Sequence, residues 1–254
     1  MNNLRFHGKV VLVTGGGTGI GRATAQAFAR EGAAVVVAGR RSGELARTVE
    51  LIEKEGGTAS SVTADVTVED DVARMVGTAV ARYGGLHIAH NNAGVFGQAA
   101  PVADLDTDTW RQVLDINLTG VFLSMKHEIR HMRAHGGGAI VNTSSNIGAH
   151  VRLPMLGSYT ASKAGLSALT RAAARDHIGD GVRVNAVSPG ASDGPMSYLP
   201  GESRAQRDSR LAPAIPLGRV GALDEVASAV VWLASDEAGF AVGHDLVIDG
   251  GATA

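Results

Sequence analysis

Short, nearly unbroken apolar runs alternate along this chain with longer stretches in which apolar residues recur every three or four positions. The runs Lys9–Val13, Ala34–Ala38, Thr58–Ala64, Leu86–His90, Ala139–Thr143, Val182–Val187 and Asp245–Ile248 read as strands. Most lack the apolar-polar alternation of a half-exposed sheet, as strands buried on both faces do. The stretches between them read as helices. One follows Gly21 with Ala25, Phe28 and Ala29 on a common face. The others are Ser42–Glu55, Glu69–Tyr83, a single long stretch Thr107–His135, Tyr159–His177 and Leu223–Ala234. Glycine pairs close the second and third helices, Gly56-Gly57 and Gly84-Gly85. Strands and helices in strict alternation predict an α/β fold. Its frame is a doubly wound, parallel, seven-stranded sheet with helices on both faces and right-handed crossovers. No linker composition or internal repeat divides the chain, so residues 1–254 are expected to form a single domain. After Pro189 a stretch rich in Gly, Pro, Ser and Arg follows, and residues 190–216 are expected to be a loop that closes over a substrate as a lid.

Composition narrows the chemistry. Hydrophobic residues make up 44% of the 254 and charged residues 19%, while aromatics are only 4%, so the core is built from Val, Ala, Leu and Ile. A formal charge of −2 gives no electrostatic reason to expect nucleic acid or an anionic membrane as partner. The chain has no cysteine, which excludes disulfides, thiolate nucleophiles and Cys-ligated zinc and fits a cytoplasmic, reducing location. Met1–Lys9 is short and polar, unlike a signal peptide, and no apolar run reaches membrane-spanning length.

Two stretches carry candidate chemistry. Gly15-Gly16-Gly17-Thr18-Gly19-Ile20-Gly21 joins an expected strand to an expected helix. Glycines there let backbone approach a pyrophosphate, and the helix start offers free N–H groups and a positive dipole. The spacing is G-x-x-x-G-x-G, and Arg22-Ala23 stands where a P-loop would need Lys followed by Ser or Thr. The second stretch is Tyr159-Thr160-Ala161-Ser162-Lys163, which puts a phenol and an ammonium group one helical turn apart. Bringing a phenol from its ordinary value to neutrality needs roughly 4 kcal/mol of preference for the phenolate. One positive charge ~4 Å away at an effective dielectric near ~20 supplies about that much. Lys163 is therefore expected to turn Tyr159 into a proton carrier.

These motifs belong to a larger set. Thr14 to Gly21, Asp65-Val66, Asn91-Asn92-Ala93-Gly94, Asn117, Ser144-Ser145, Tyr159-x-x-x-Lys163, Asn185 and Pro189-Gly190 come in the order and at the spacings of the short-chain dehydrogenase/reductase family, which the chain resembles over essentially its whole length. The resemblance implies a Rossmann-like domain, a nicotinamide cofactor, and oxidation of an alcohol or reduction of a carbonyl. It implies that Gly15, Thr18, Gly19, Ile20 and Gly21 hold the pyrophosphate, that Asp65 meets the adenine amino group with Val66 beside the ring, and that Asn92, Ala93 and Gly94 line the cofactor at a strand end. Ser145 would bond the substrate oxygen, with Ser144 the weaker candidate. Tyr159 would exchange the alcohol proton, Lys163 would also hold the nicotinamide ribose, and Asn117 would hold a water linking Lys163 to solvent. In a Rossmann unit the residue that grips the NAD ribose lies about 20 positions past the glycines. Here Gly39 occupies that place and Arg40-Arg41 follows, which repels nothing on a 2′-phosphate and attracts it. The expected cofactor is NADP, with NAD the second choice.

The resemblance is imperfect at Pro189-Gly190-Ala191-Ser192-Asp193-Gly194, where Gly194 replaces the family's usual Thr and leaves its contact to Ser192, to Asp193 or to the backbone alone. His127-Glu128-Ile129-Arg130-His131 matches a zinc-protease pattern, but the apolar residues around it read as an ordinary packed helix face, and no metal site is expected. Expected pocket walls such as Phe96, His150, Leu153, Met196 and Leu199 are mostly apolar and suit a small or medium ketone or secondary alcohol. Relatives imply a homotetramer built through the two long helices and the C-terminal helix and strand. The alternative to an enzyme is an idle NADP-binding sensor, which would not need Asn117, Ser145, Tyr159 and Lys163 together.

Overall fold

The structure is a computed structural model that describes residues 4–254; Met1–Asn3, the start of the expected domain, lie outside the described residues. Seven parallel strands form one sheet in the order β3-β2-β1-β4-β5-β6-β7. They are β1 (Val10–Thr14), β2 (Ala34–Gly39), β3 (Thr58–Thr63), β4 (Ile88–Asn91), β5 (Gly138–Thr143), β6 (Val182–Pro189) and β7 (Asp245–Ile248). The helices are α1 (Gly19–Arg30), α2 (Ser42–Lys54), α3 (Glu69–Tyr83), α4 (Thr107–Leu114), α5 (Gly120–Ala134), α6 (Gly157–His177), α7 (Arg204–Leu211) and α8 (Leu223–Ala234).

Strand side chains alternate between faces, and this divides the core in two. Val10 and Leu12 of β1, with Val36 and Ala38 of β2, pack with α3, α5 and α6 around Met75, Met125, Ile129 and Leu166. Val11 and Val13, with Val35 and Val37, pack on the other face with α1, α2 and α8 around Phe28, Leu45, Ile52 and Leu233. Both faces of the central strands are therefore covered, which is why these runs read as continuously apolar. Helix ends follow local rules. Acidic Glu69, Asp70 and Asp71 open α3, where they favour the positive end of the helix dipole, and Gly84 closes it at φ 84°.

Two expected elements take a different form. The stretch Thr107–His135 is not one regular helix: α4 runs into a π-helical turn over Asp115–Thr119 before α5 begins at Gly120. Single π turns inside α-helices are frequent at functional sites, and this one holds Asn117. The segment expected to be a loop contains α7, capped by Ser203 and Gln206 in a reciprocal capping box. No apolar period announces α7, because polar contacts hold it. Arg207, 1% exposed, donates to Asp193 Oδ1 at 2.9 Å and to Ser197 Oγ at 3.0 Å, pairs with Asp208 at 2.7 Å, and lies 4.6 Å from the Tyr198 ring centroid. No helix of the described residues is long and apolar enough to cross a membrane.

Candidate active site

The strand order reverses between β1 and β4, and the C-terminal ends of these strands meet there. Open α/β sheets bind ligands at such a switch point. β1 leads into Gly15 and Gly19, whose φ angles of 63° and 54° strain any side chain. A Cβ on Gly21 would stand 2.4 Å from the Gly15 carbonyl oxygen, so only glycine lets helix and turn approach this closely. Thr18 is the N-cap of α1 but makes no side-chain cap, and the first turn, which includes Ile20, carries no acid. The leading N–H groups are thus left for an anion, and the turn fits the pyrophosphate of a dinucleotide. From α2, Thr48 Oγ1 donates to the Gly16 carbonyl at 2.9 Å. Arg22, paired with Glu44 at 2.8 Å, donates to Thr48 at 3.0 Å and fixes the turn from behind.

The Arg pair lies on the outer side of this turn. Arg40, 60% exposed, sits 3.8 Å from an Asp65 carboxylate oxygen. Arg41, the N-cap of α2, donates to Thr18 Oγ1 at 3.4 Å. Asp65 also accepts from the Thr67 N–H and hydroxyl, while buried Val66 lies under Gly120. Residues from three separate stretches of sequence therefore meet at one corner.

At the end of β4 the hydroxyl of buried Thr14 accepts from the N–H groups of Asn92 at 3.0 Å and Ala93 at 3.1 Å. The Asn92 amide donates back to the Thr14 carbonyl at 3.1 Å. A Cβ on Gly94 would stand 3.2 Å from Asn117 Oδ1 and 3.6 Å from Lys163 Nζ, so this backbone runs directly past the amine. Asn117 is fully buried, and its amide is already engaged: it accepts from the Val95 N–H and donates to the Val95 carbonyl, each at 2.8 Å, and to Ser162 Oγ at 3.1 Å. The side chain clamps the backbone after Gly94.

Tyr159 and Lys163 share a face of α6, with Nζ 5.9 Å from the phenol ring centroid, and both are buried. Lys163 Nζ donates to the Thr143 carbonyl at 2.7 Å, and burial brings its amine down to about 8. The expected pull of the ammonium on the phenol is not what dominates in the protein alone. Burial pushes Tyr159 above the ordinary phenol range, and the Ser145 side chain acts in the opposite direction. The reason is distance and solvent: an amine held on a carbonyl beyond the ring offsets less than exclusion from water costs. Phe96 covers the Tyr159 ring at a centroid distance of 4.6 Å. Ser145 Oγ accepts from the Ile147 N–H at 3.1 Å, whereas Ser144 turns inward to the Lys163 carbonyl and Ser167. The loop between Ser145 and Tyr159 contains Met155, the one non-glycine residue at positive φ (66°) among the described residues. Its carbonyl accepts from the Ala100 N–H at 3.0 Å.

The remaining candidates divide. Pro189 ends β6, and a Cβ on Gly190 would strike Asp249, so this strand end is packed closely on the C-terminal segment. Ser192 Oγ donates to the Gly190 carbonyl at 3.1 Å, and Asp193 is taken up by Arg207, Arg204 and Tyr198. Asp193 is thus committed to this cluster, whereas the Ser192 hydroxyl, donating once, can still accept. His150 bonds Asp245 at 3.2 Å, and Asp245, buried on β7, also accepts from Ser167 and Ser188. The zinc-like motif does not converge. His127 bonds Glu69, His131 accepts from the Leu86 N–H, and Glu128 turns into the core toward Asn91. Sequence reasoning missed the Thr143 carbonyl under Lys163 and the carboxylate of Asp245, since neither belongs to a motif and a strand-end carbonyl carries no sequence signal.

A family model described as enoyl-(acyl carrier protein) reductase matches residues 15–253. The chain is 45% identical over 252 residues to a cis-4-hydroxycyclohexanecarboxylate dehydrogenase of Sinomonas cyclohexanicum, covering 98% of each chain. It is 37% identical to a cyclohexanol dehydrogenase of Acinetobacter sp. (strain SE19), over 98% of this chain and 96% of that one. The crystal structure of levodione reductase superposes with a TM-score of 0.93 at 33% identity, covering 98% of this chain and 99% of that one.

The Thr14 hydroxyl gives a direct test of the strand-end geometry. Thr14→Val keeps shape but leaves the Asn92 and Ala93 N–H groups without their acceptor, at a cost of about 1–3 kcal/mol. Thermal unfolding is expected to shift down, and dinucleotide affinity measured by titration calorimetry to fall with it. An unchanged unfolding midpoint and affinity would remove Thr14 from the site.

Proposed function

This chain belongs to the short-chain dehydrogenase/reductase family, an NAD(P)-dependent dehydrogenase by that membership, and from that premise we propose that it transfers a hydride between NADP(H) and a small cyclic secondary alcohol or ketone. The observation that carries the reading is the convergence of Ser145, Tyr159 and Lys163, with the phenol and the amine buried together beside the backbone of Gly94. The pyrophosphate would lie on Gly15–Gly21, the adenosine corner on Arg40, Arg41, Asp65 and Val66, and the nicotinamide half along Asn92–Gly94, Pro189–Gly190 and Ser192. The bound dinucleotide supplies the hydride acceptor or donor. The protein's own part is the proton. Tyr159 Oη takes it from the substrate hydroxyl in oxidation and returns it in reduction, Ser145 Oγ steadies the substrate oxygen, and Lys163 keeps positive charge beside the phenol. Asn117 contributes by fixing the backbone at Val95, and through it the strand end that carries Gly94.

Support for a cyclic, mostly apolar substrate comes from the relatives' named activities and from the loops around Tyr159, which leave Leu153, Met155, Met196 and Leu199 about half exposed. Residues 190–216 would serve as the lid, with Arg207 latching α7 to Asp193. An assembly through α8 and β7 is supported by half-exposed Trp232 and Val242 and by Phe240, which is fully exposed in the single chain.

Three measurements test these readings. With cyclohexanol and cyclohexanone, kcat/KM is expected to favour NADP(H) over NAD(H) by about tenfold or more, since each charge-assisted bond to a phosphate contributes about 1.5–3 kcal/mol; equal or better rates with NAD(H) would overturn the cofactor choice. Tyr159→Phe is expected to lower kcat by about 10²–10⁴ with cofactor affinity nearly unchanged, and substantial residual turnover would remove Tyr159 as the acid/base. Sedimentation is expected to give a tetramer at micromolar protein, and a monomer there would refute the assembly.

A further inference from the structure

Glu128 has no part in the reaction derived above, yet it is one of the most deeply buried side chains in the protein, at 0% exposure. It leaves α5 toward the sheet, and its one hydrogen-bond donor is the Asn91 amide, at 2.9 Å from Oε2. The same amide donates to Asn142 Oδ1 at 3.1 Å, and Asn142 in turn donates to Thr170 Oγ1 at 2.9 Å. Two acceptors in this cluster have no donor: Glu128 Oε1 and Asn91 Oδ1. A carboxylate would therefore be a buried charge with no cation and a single neutral hydrogen bond, beside an amide oxygen equally short of a donor. One proton supplies what both lack.

We propose that Glu128 is carried as a neutral carboxylic acid whose O–H donates to Asn91 Oδ1, and that this pair is a positioning device for the dinucleotide site. Asn91 is the last residue of β4 and directly precedes Asn92, Ala93 and Gly94. Asn142 precedes Thr143, whose carbonyl holds Lys163 Nζ. The acid on α5 thus fixes the ends of both strands that bear on the nicotinamide half of the site. This second clause rests on the dinucleotide reading given above.

The neighbourhood agrees with a neutral acid. On α5 itself His127 faces Glu69 and His131 faces the Leu86 amide. On β4, burial brings His90 down to about 3, so it is uncharged, and it shares a hydrogen bond with Thr143 Oγ1. Asn142 from β5 and Thr170 from α6 carry no charge, Lys163 is turned to the Thr143 carbonyl, and the surface pair Lys126–Glu69 links α5 to α3 away from the core. Burial raises the Glu128 carboxyl to about 7, and only the Asn91 bond opposes it. A carboxyl raised on folding contributes stability that is fully present below its unfolded value, near 4.5, and is lost as pH rises through about 7.

The full-length protein, Glu128→Gln and Glu128→Ala decide the matter. Gln copies the neutral acid's shape and its capacity to donate to Asn91. Difference infrared spectra of wild type against Glu128→Gln are expected to show the C=O stretch of a protonated carboxyl below neutrality. Wild type is expected to lose stability between pH ~4.5 and ~7 relative to Glu128→Gln, which stays level, while Glu128→Ala is destabilised throughout. NADP(H) affinity of wild type is expected to weaken several-fold above neutrality, with that of Glu128→Gln independent of pH. An absent carboxyl band, or a Glu128→Gln protein as impaired as Glu128→Ala in both stability and affinity, would overturn the neutral acid. A pH-independent wild-type affinity beside an intact band would overturn its positioning role. Failure of wild type to bind dinucleotide at all would defeat the functional reading, with the band and the unfolding curves still deciding the state of Glu128.

Discussion

An amine enclosed in protein must be held by something, and here it is held by backbone. Lys163 Nζ has a strand-end carbonyl at 2.7 Å and little contact with water. Exclusion from water lowers the amine, but only to about 8, so near neutrality it keeps most of its charge. That charge has to be aimed at a phenol on its own helix and at whatever lies along Gly94. Much of the surrounding architecture follows from the need to keep β4, β5 and α6 in fixed relation around it.

The fixing is done by polar side chains inside the sheet-helix layer. Thr14 ties β1 to the residues after β4. Asn91 and Asn142 bridge β4 to β5, and Thr170 extends the bridge to α6. Asn117, lifted out of regular helix by a π turn, straps Val95 and reaches Ser162. On the far side Asn185 joins β6 to the segment before β7 through the Ala241 carbonyl and the His244 N–H. Apolar packing sets the distance between layers, but it is non-directional. Hydrogen bonds between short amides and hydroxyls set the register of strand ends to within the tolerance a reacting site needs.

The frame was readable because buried parallel strands leave long apolar runs and helices leave a clear period, so the seven expected strands, and the expected helices other than Thr107–His135, depart from the observed ones at most at their ends. The glycine turn and the Tyr159–Lys163 pair were readable because each needs particular residues at a local spacing. What escaped was of three kinds. α7 has no apolar stripe, so a pattern-based reading had nothing to detect; its stability lies in Arg207 and the Ser203 cap. The balance of forces on Tyr159 escaped because spacing fixes proximity but not burial, and burial outweighs the amine in the protein alone. Asn117 shows a third limit. Its helix-disfavouring chemistry marked it as special, yet which backbone its amide would strap depended on a chain segment far away in sequence.

The latch on α7 is made of guanidinium and carboxylate groups, with Arg204–Asp193 exposed and Arg207–Asp193 enclosed. Dissolved ions screen the first and scarcely reach the second. Rising salinity therefore loosens the rim of the segment while its pivot stays engaged, so that movement of the proposed lid would be graded by ionic strength instead of switching between open and shut.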